Sequence, residues 1–219
     1  MSIEVQSHKG KSSTVADRRA QIIQATLRLV AEDGIQGATM IRIANIVGVS
    51  TAALYRYFDS REAILLAAFD TLIDRVLDWL RSSDRVDAVS RLWDVLSQHA
   101  DLFSKDVEGF NAPIFQFRLH LPNDHIREHV SRRTEDMMKA YEDVIEDGKA
   151  QGSIRADVES RSVVSDLLAW IYWEDLSYLT GLGNGFTRKK SADMLGRILR
   201  EIAANGSWAD GQREAPPIL

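Results

Sequence analysis

The sequence predicts an all-α protein on three observations. Only four prolines occur in 219 residues, so long stretches contain no residue that interrupts a helix. Apolar residues recur at three- and four-residue spacing over most of the chain, which is the period of one helix face. No segment shows the alternation of apolar and polar residues that a half-buried strand requires. We expect three short helices followed by a longer helical bundle.

The first predicted helix follows a polar tail at residues 1–15. Its apolar face carries Ile23, Leu27 and Val30 at i, i+4 and i+7. Gly34 suits the left-handed conformation that closes many helices, so we expect the helix to end there.

A second, short helix is predicted between Thr39 and Gly48, because threonine is a good N-cap and glycine ends a helix readily. Ser50 can cap a third helix, in which Leu54 and Phe58 point inward one turn apart. Three helices therefore fall within a short N-terminal stretch.

The fourth helix is expected from about Ser60 to Arg81, with Asp59 and Glu62 forming a capping box at its start. At 1.5 Å per residue it would be roughly 33 Å long, enough to leave one domain and enter another. Five further helices are predicted at about 84–104, 108–120, 123–150, 159–181 and 188–204.

The composition bounds the class of protein. With 45% hydrophobic and 27% charged residues, the chain resembles ordinary globular proteins of one or two domains. The lack of cysteine excludes disulfides, thiolate nucleophiles and cysteine-ligated zinc or iron–sulfur sites. No uncharged apolar run approaches the length of a membrane span, and residues 1–10 lack the apolar segment of a signal peptide. We therefore expect a cytoplasmic protein without a membrane partner.

Charge is distributed unevenly although the net charge is −5. Residues 1–62 hold eight Lys and Arg against six Asp and Glu, whereas residues 63–219 hold 19 against 26. The N-terminal part is thus +2 and the remainder −7. We therefore expect a polyanion to bind at the N-terminal end of the chain.

The spacing of small and apolar residues across the second and third helices matches a helix-turn-helix. Ala44 would let two crossing helices approach, and Gly48, four positions later, would turn the chain with a positive φ. Val49 and Leu54 would fill the wedge between the helices.

The surrounding residues resemble the N-terminal domain of the TetR family of transcriptional regulators over about residues 16–65. The segments that carry the resemblance are Gly37-Ala38-Thr39, Ile43-Ala44, Gly48-Val49-Ser50, Leu54-Tyr55-Arg56-Tyr57-Phe58 and Ser60-Arg61-Glu62-Ala63-Ile64. The departures are Ala52 where the family often has Gly, Thr51 where Lys is frequent, and Arg61 where Lys is usual. The first two bear on DNA sequence preference, whereas the third keeps the charge.

The resemblance implies four regions: a polar tail (1–15), a helix-turn-helix DNA-binding domain (16–62), a helical ligand-binding and dimerisation domain (63–205) and a C-terminal tail (206–219). Residues 50–53 would face base edges in a major groove, while hydroxyls and guanidiniums around them would contact phosphates. The candidate DNA-binding residues are Thr39, Arg42, Ser50, Thr51, Ala52, Ala53, Tyr55, Arg56, Tyr57 and Arg61.

Each of these residues also has a purely structural interpretation. We expect Phe58 to be a core residue because its spacing matches Leu54, whereas we favour a DNA contact for Tyr55. Thr39 is a helix cap in either case. The arginines are candidates for DNA contact only because the helix-turn-helix motif surrounds them; outside such a motif they would be ordinary charged surface residues.

Aromatic residues gather in the C-terminal part, where a helical bundle can enclose an apolar pocket for a small-molecule effector. The candidate pocket residues are Trp93, His99, Phe103, Phe115, Arg118, Tyr141, Trp170 and Trp173. His99 lies on an apolar helix face, where a histidine is more often a buried core residue than a ligand contact. Glu174 and Asp175 can meet either a cation or an arginine across an interface, and the sequence does not separate these alternatives.

The sequence favours no metal, cofactor or catalytic site. His125 and His129 lie one helical turn apart, near His120, but neighbouring arginines would repel a cation. The chain contains no P-loop, no GxGxxG after a strand and no nucleophile elbow. We expect a protein that is not an enzyme.

The expected function is a ligand-released repressor. The resemblance implies a homodimer formed through the last two long helices, with recognition helices about 34 Å apart on a near-palindromic double-stranded DNA operator. The alternatives are an activator or dual regulator with the same DNA chemistry, a helical interaction protein without specific DNA binding, and a small-molecule enzyme in an α-bundle.

Overall fold

The fold is known from a computed structural model. It describes residues 14–83, 85, 87–105, 114–117, 123–180 and 188–204, excluding the side chains of residues 98–105, 178–179 and 188. Its helices, in chain order, are α1 (Val15–Gly37), α2 (Met40–Val47), α3 (Thr51–Leu54), α4 (Arg61–Ser82), α5 (Ala88–Lys105), a single turn at 114–117 (α6), α7 (Asp124–Gln151), α8 (Ser160–Leu179) and α9 (Arg188–Ile202). The all-α prediction is confirmed.

The predicted helix boundaries agree with the structure to within two residues for four of the long helices: α4, α7, α8 and α9. The helix expected at 84–104 begins later, at Ala88. Of the helix expected at 108–120, the structure describes only residues 114–117.

The first helix bends at the glycine that was expected to end it. Gly34 has φ +69°, and Asp33 before it is also non-helical. One further turn then carries the chain to Gly37, where the amide of Ala38 donates to the carbonyl of Ile35 at 3.3 Å. Gly34 thus acts as a kink within α1.

The capping box expected at Asp59 and Glu62 is wrong. Ser60 caps α4, because its hydroxyl accepts the amide of Ala63 at 3.0 Å. The Glu62 carboxylate instead accepts from the side-chain amide of Asn123 at 3.3 Å and lies 3.6 Å from His125. Glu62 thus interacts with residues about sixty positions later in the chain and does not take part in a capping box.

Helix α4 joins the N-terminal helices to the remaining bundle. Near its start it buries Ile64 and Leu65 where it packs against α1. One turn further, Phe69 lies with its ring centroid 5.5 Å from that of Phe117 on α6. The buried residues of both halves form one continuous core.

Ion pairs fasten α4 to α7 along one side. The guanidinium of Arg133 donates to Asp70 at 2.9 Å and also to Asp74, and the imidazole of His129 lies 2.7 Å from Asp70. Burial alone would lower the pKa of Arg133, but Asp74 and Asp70 outweigh it and raise the pKa. The α4–α7 contact therefore includes partly buried charge pairs.

The turn between α7 and α8 is tied to the end of α9. An isolated antiparallel bridge joins Ile154 to Ala203. The amide of Arg155 donates to the carbonyl of Ile202 at 2.9 Å, and the amide of Ala204 donates to that of Ser153 at 2.9 Å. These backbone bonds close the bundle.

Apolar residues occur on every side of α8. Leu168 and Ile171 are buried on one side and Trp170 on the opposite one, while Trp173 and Leu176 are 48% and 45% exposed. A helix that is apolar all round is normally buried all round.

Among the described helices, none has an apolar stretch long enough to cross a membrane.

A glycine within α7 permits close helix packing, and Gly148→Ala tests it. A Cβ at Gly148 would lie 2.6 Å from the Cβ of Ala88 and 2.7 Å from Cδ1 of Ile154. We expect the substitution to lower the free energy of unfolding by about 1–3 kcal/mol, measured by urea denaturation.

Gly196→Ala in α9 is the matched control. Its Cβ would meet Arg200 Nη1 at 3.4 Å and Trp93 at 3.8 Å, which are ordinary contacts. Alanine is the better helix former by about 1 kcal/mol, so stability should hold or rise. Equal destabilisation by both substitutions would contradict the packing role of Gly148.

Candidate nucleic-acid interface and ligand cavity

The turn between α2 and α3 has the predicted local structure. Thr39 caps α2, and its hydroxyl accepts the amide of Arg42 at 3.3 Å. Gly48 ends α2 in the left-handed conformation, with φ +72° and ψ +37°. Ser50 caps α3 and accepts the amide of Ala53 at 3.1 Å. Gly48 and Ser50 thus confine the turn between α2 and α3 to residues 48–50.

Two buried faces hold α2 against α3. Ile43 and Ala44 of α2 and Leu54 of α3 are at most 2% exposed. The amide of Val49 donates to the carbonyl of Ala44 at 3.0 Å, so the turn is fixed on α2 as well. The arrangement is a helix-turn-helix whose second helix is fixed in direction.

The outer face of α3 and the residues that follow it consist of short side chains, one tyrosine and one arginine. Ser50, Ala52, Tyr55 and Arg56 are exposed, and Tyr55 is 56% exposed. Thr51 and Ala53, which were expected to face base edges, are half-buried. A surface of this kind can approach the floor of a major groove closely, while a phenol and a guanidinium at its edge reach the phosphates.

The aromatic residues after α3 divide as expected from their spacing. Phe58 is 4% exposed, which confirms its core role. The guanidinium of Arg19 lies 3.9 Å above its ring and donates to the carbonyl of Tyr57. Tyr57 itself is half-buried and packs against the core. Sequence reasoning missed Arg19, which joins the start of α1 to the end of the α3 segment.

Two of the candidate DNA-binding arginines, Arg42 and Arg61, form hydrogen bonds within the protein. Arg42 donates to the carbonyl of Gly37 at 3.2 Å and pairs with Asp33, both at the kinked end of α1. Its side chain is 43% exposed, so one edge remains accessible to solvent. Arg42 links α2 to α1 whether or not it also approaches a phosphate.

Arg61 is placed differently from a surface phosphate ligand. Its Nε donates to the carbonyl of Ala38 at 2.7 Å, and its Nη2 donates to the carbonyl of Ile35. Both carbonyls belong to residues that are at most 1% exposed. Burial lowers the pKa of Arg61. The structure thus directs this guanidinium inward, to the end of α1.

A small cavity of about 30 Å³ lies between α4, α5, α6, α7 and α8. It is lined by Val76, Trp79, Val95, Ile114, Met137, Tyr141, Leu168, Ile171, Tyr172 and Asp175. Most of these side chains are apolar, and Asp175 is a carboxylate that is only 1% exposed. A largely apolar enclosure with a few polar groups has the composition of a small-molecule site.

The predicted pocket residues are only partly brought together. Tyr141 lines the cavity and is buried, which raises the pKa of its phenol. Phe115 lies behind the wall, with its ring centroid 6.0 Å from that of Tyr172 in an edge-on arrangement.

Three predicted pocket residues lie elsewhere. Trp93 and Trp170 are buried but are not among the residues that line the cavity, and Trp173 is exposed on the outside of α8. Because α8 is apolar all round, sequence periodicity could not tell its cavity face from its other faces. The side chains of His99 and Phe103, and the whole of Arg118, lie outside the described residues.

The histidines considered as metal ligands contact carboxylates of α4. His125 lies against Glu62 and His129 against Asp70, while His120 falls outside the described residues. In the part of the chain that is described, no group of three or more potential ligands is placed to hold a metal ion.

Comparison with known proteins agrees with this geometry. Residues 22–68 match the family model described as bacterial regulatory proteins, tetR family. The match runs from α1 through the helix-turn-helix into α4.

Curated relatives extend the similarity beyond that domain. The nucleoid occlusion factor SlmA of Haemophilus influenzae (strain PittGG) is 24% identical over 181 residues, covering 80% of this chain and 82% of the relative. The fatty acid metabolism regulator protein of Bacillus subtilis (strain 168) is 24% identical over 143 residues, covering 64% of this chain and 73% of the relative.

Solved structures share the whole fold. The transcriptional regulator FadR from Bacillus subtilis, in complex with stearoyl-CoA, has a TM-score of 0.68 at 22% identity and covers 84% of this chain and 98% of its own. A TetR transcriptional regulator from Chloroflexus aurantiacus has a TM-score of 0.70 at 17% identity, with coverages of 87% and 98%. Residues 22–68 therefore form a DNA-binding domain of the tetR family of bacterial regulatory proteins, and the chain shares the fold of transcriptional regulators that carry this domain.

Proposed function

We propose that the chain is a ligand-released repressor that binds a near-palindromic DNA operator as a homodimer. Residues 16–62 bind DNA, and residues 63–205 bind the ligand and the second copy. The observation that carries the proposal is the sharing of α4: its first turn supports the helix-turn-helix, and its last turns line a small, partly open cavity.

The exposed face of α3 supports sequence-specific DNA binding. Its side chains at Ser50 and Ala52 are short, so the helix can sit deep in the groove. Tyr55 and Arg56 at the edge are placed to contact the backbone, together with the hydroxyl of Thr39, which accepts an amide and keeps its proton to donate.

The exposed apolar side of α8 supports dimerisation. Trp173 and Leu176 are large, nearly half-exposed and one turn apart. A second copy related by a twofold axis would cover them with the same surface. The two recognition helices would then lie about one helical turn of DNA, roughly 34 Å, apart.

Two contacts connect the cavity to the DNA-binding helices. Trp79 lines the cavity from the distal part of α4, about 27 Å along the helix from Arg61. Ile114 of α6 also lines it, and two residues on, Gln116 lies against the kink of α1, where its Oε1 would be 3.1 Å from a Cβ at Gly34. A ligand that shifts α4 or α6 thereby changes the placement of α3.

Differential affinity sets the size of the effect. A ligand that binds the non-operator arrangement more tightly lowers operator affinity by the ratio of its two affinities, typically about 5- to 150-fold. The complex of the similar Bacillus subtilis FadR with stearoyl-CoA is a precedent for a small molecule bound to this architecture.

The primary test of the proposed function is selection from random duplex DNA at about 150 mM salt, followed by sequencing of the retained fragments. We expect a palindromic consensus with half-sites about one helical turn apart. Retention without a consensus, or a monomeric mass at micromolar concentration, would contradict the proposal of a dimeric regulator.

Substitutions on α3 separate base contacts from phosphate contacts. Tyr55→Phe removes one hydroxyl and should weaken binding about fivefold at every site sequence. Thr51→Val keeps the shape but removes a polar group at the groove face, so it should change the selected consensus. The affinities of both protein variants for a panel of operators with single-base changes would distinguish base contacts from phosphate contacts. A uniform loss for Thr51→Val would exclude Thr51 from base readout.

Arg61→Ala tests the inward role of this guanidinium. Loss of two hydrogen bonds to buried carbonyls should destabilise the chain by about 2–4 kcal/mol, seen as a lower melting temperature. The salt dependence of operator binding should stay the same, because no phosphate contact is lost.

Arg56→Ala is the matched control for Arg61→Ala, because Arg56 is exposed. It should leave the melting temperature unchanged and reduce the slope of log K against log salt by about 0.9. A reduced slope for Arg61→Ala with normal stability would reinstate Arg61 as a phosphate ligand.

A further inference from the structure

We propose that Ile41, on the first turn of α2, reads a thymine of the operator: its side chain contacts the C5-methyl group of that base in the major groove. This inference rests on the operator binding proposed above and adds a base-reading residue outside α3.

The first observation is the exposure of this side chain. Ile41 is 65% exposed, whereas Ile43, two positions later in the same helix, is fully buried. Single exposed aliphatic residues are common on protein surfaces, so exposure by itself assigns no role. The role follows from the side of α2 on which Ile41 lies.

Two other residues of α2 mark the side that faces α1. Arg42 donates to the carbonyl of Gly37 at the end of α1, and Ile46 lines an open groove together with Gln24 of α1. Successive residues of a helix are about 100° apart, so Ile41 lies about 100° from Arg42 and about 140° from Ile46 in the same direction. Ile41 therefore faces away from α1.

The start of α2 lies where a helix-turn-helix meets the DNA backbone. In a bound helix-turn-helix, the second helix enters the major groove while the first crosses the backbone beside it. The first backbone bond of α2 joins the amide of Ile43 to the carbonyl of Thr39 at 2.9 Å, so the amides of Met40 and Ile41 precede it. Amides at a helix start hold phosphate oxygens. A phosphate held there brings the Ile41 side chain to the wall of the groove.

The chemistry of the side chain selects its partner on the DNA. Isoleucine has no side-chain donor or acceptor, so it forms no hydrogen bond with a phosphate or with the polar edge of a base. The apolar group that a base pair presents in the major groove is the thymine methyl. Against another base, Ile41 would cover polar edge groups and deprive them of water. The contact therefore favours thymine.

The surroundings of Ile41 favour DNA over a second protein as the partner. Thr39 and Asn45, the residues nearest to Ile41 along this side of α2, are exposed and polar. Protein interaction sites are marked by larger continuous apolar patches. One aliphatic side chain among polar neighbours suits a single methyl group between polar base edges and phosphates.

The test removes the methyl group from the DNA and leaves the protein unchanged. In the operator found by selection, each thymine and its symmetry mate are replaced in turn by deoxyuridine, which lacks the C5-methyl group. We expect one position to lower the affinity of the full-length chain by about fourfold per half-site, the effect of one buried methyl group. Fluorescence anisotropy with labelled duplexes measures the affinities.

The variant Ile41→Ala connects this loss to the side chain. It should bind the thymine operator at least about fourfold more weakly per half-site, and the same deoxyuridine should then cost no further affinity. Its melting temperature should not fall, because Ile41 is largely exposed. Selection from random duplexes with this variant should return a consensus without a preference for thymine at that position.

Ile46→Ala is the matched control. It makes the same substitution in the same helix, at a residue that is 45% exposed and lies beside α1. This variant should bind the thymine operator like the unmodified chain and keep the full loss on deoxyuridine.

Three results would overturn the inference. No deoxyuridine lowers the affinity, or the loss is equal for Ile41→Ala and the unmodified chain, or Ile41→Ala keeps full affinity and the same consensus. The last result would leave Ile41 to a contact with another protein.

The same assays separate this inference from the proposed function. If the chain binds one half-site as a monomer, or no ligand releases it, the dimeric ligand-released repressor fails, and deoxyuridine in that half-site still decides the role of Ile41. If a palindromic consensus is bound and is indifferent to deoxyuridine, the function stands and the inference fails. DNA binding without any consensus would contradict both.

Discussion

The guanidinium of Arg61 lies at the point on which the architecture of the N-terminal half depends. It donates from the first residue of α4 to two carbonyls at the end of α1, those of Ile35 and Ala38. Helix ends leave carbonyls without helical partners, and a charged donor satisfies them more strongly than a neutral one. Because Thr39 follows directly and caps α2, one side chain fixes α1, α2 and α4 together. The direction of the helix-turn-helix is therefore set relative to α4, the helix that continues into the rest of the bundle.

The local features of the helix-turn-helix could be predicted from sequence because short-range chemistry determines them. Thr39 and Ser50 cap helices through amides three residues on, and Gly48 takes a positive φ that few other residues tolerate. Arg61 escaped the same reasoning. Its acceptors lie 23 and 26 positions earlier in the chain, and no local pattern reveals such a partner.

The cavity was less predictable for a related reason. Aromatic composition indicated a pocket, and Tyr141 does line it. The prediction that the tryptophans of α8 line the pocket was wrong, because Trp170 and Trp173 lie on other faces of a helix that is apolar all round. Only the packing of α8 between α7, α9 and the exposed side decides which of its residues meet the cavity. Asp175 could be noticed in the sequence, but its burial could not, since burial depends on five helices at once.

The bonds between the α7–α8 turn and the end of α9 bear on how the protein is made. Ser153 and Arg155 pair with Ala204 and Ile202, residues separated by about fifty positions. A ribosome releases the N-terminal helices first, and their contacts are mostly local, so the DNA-binding half can fold while synthesis continues. The helical bundle formed by α5 to α9 must wait until residue 204 has emerged. A nascent chain can therefore complete its helix-turn-helix before the bundle has closed.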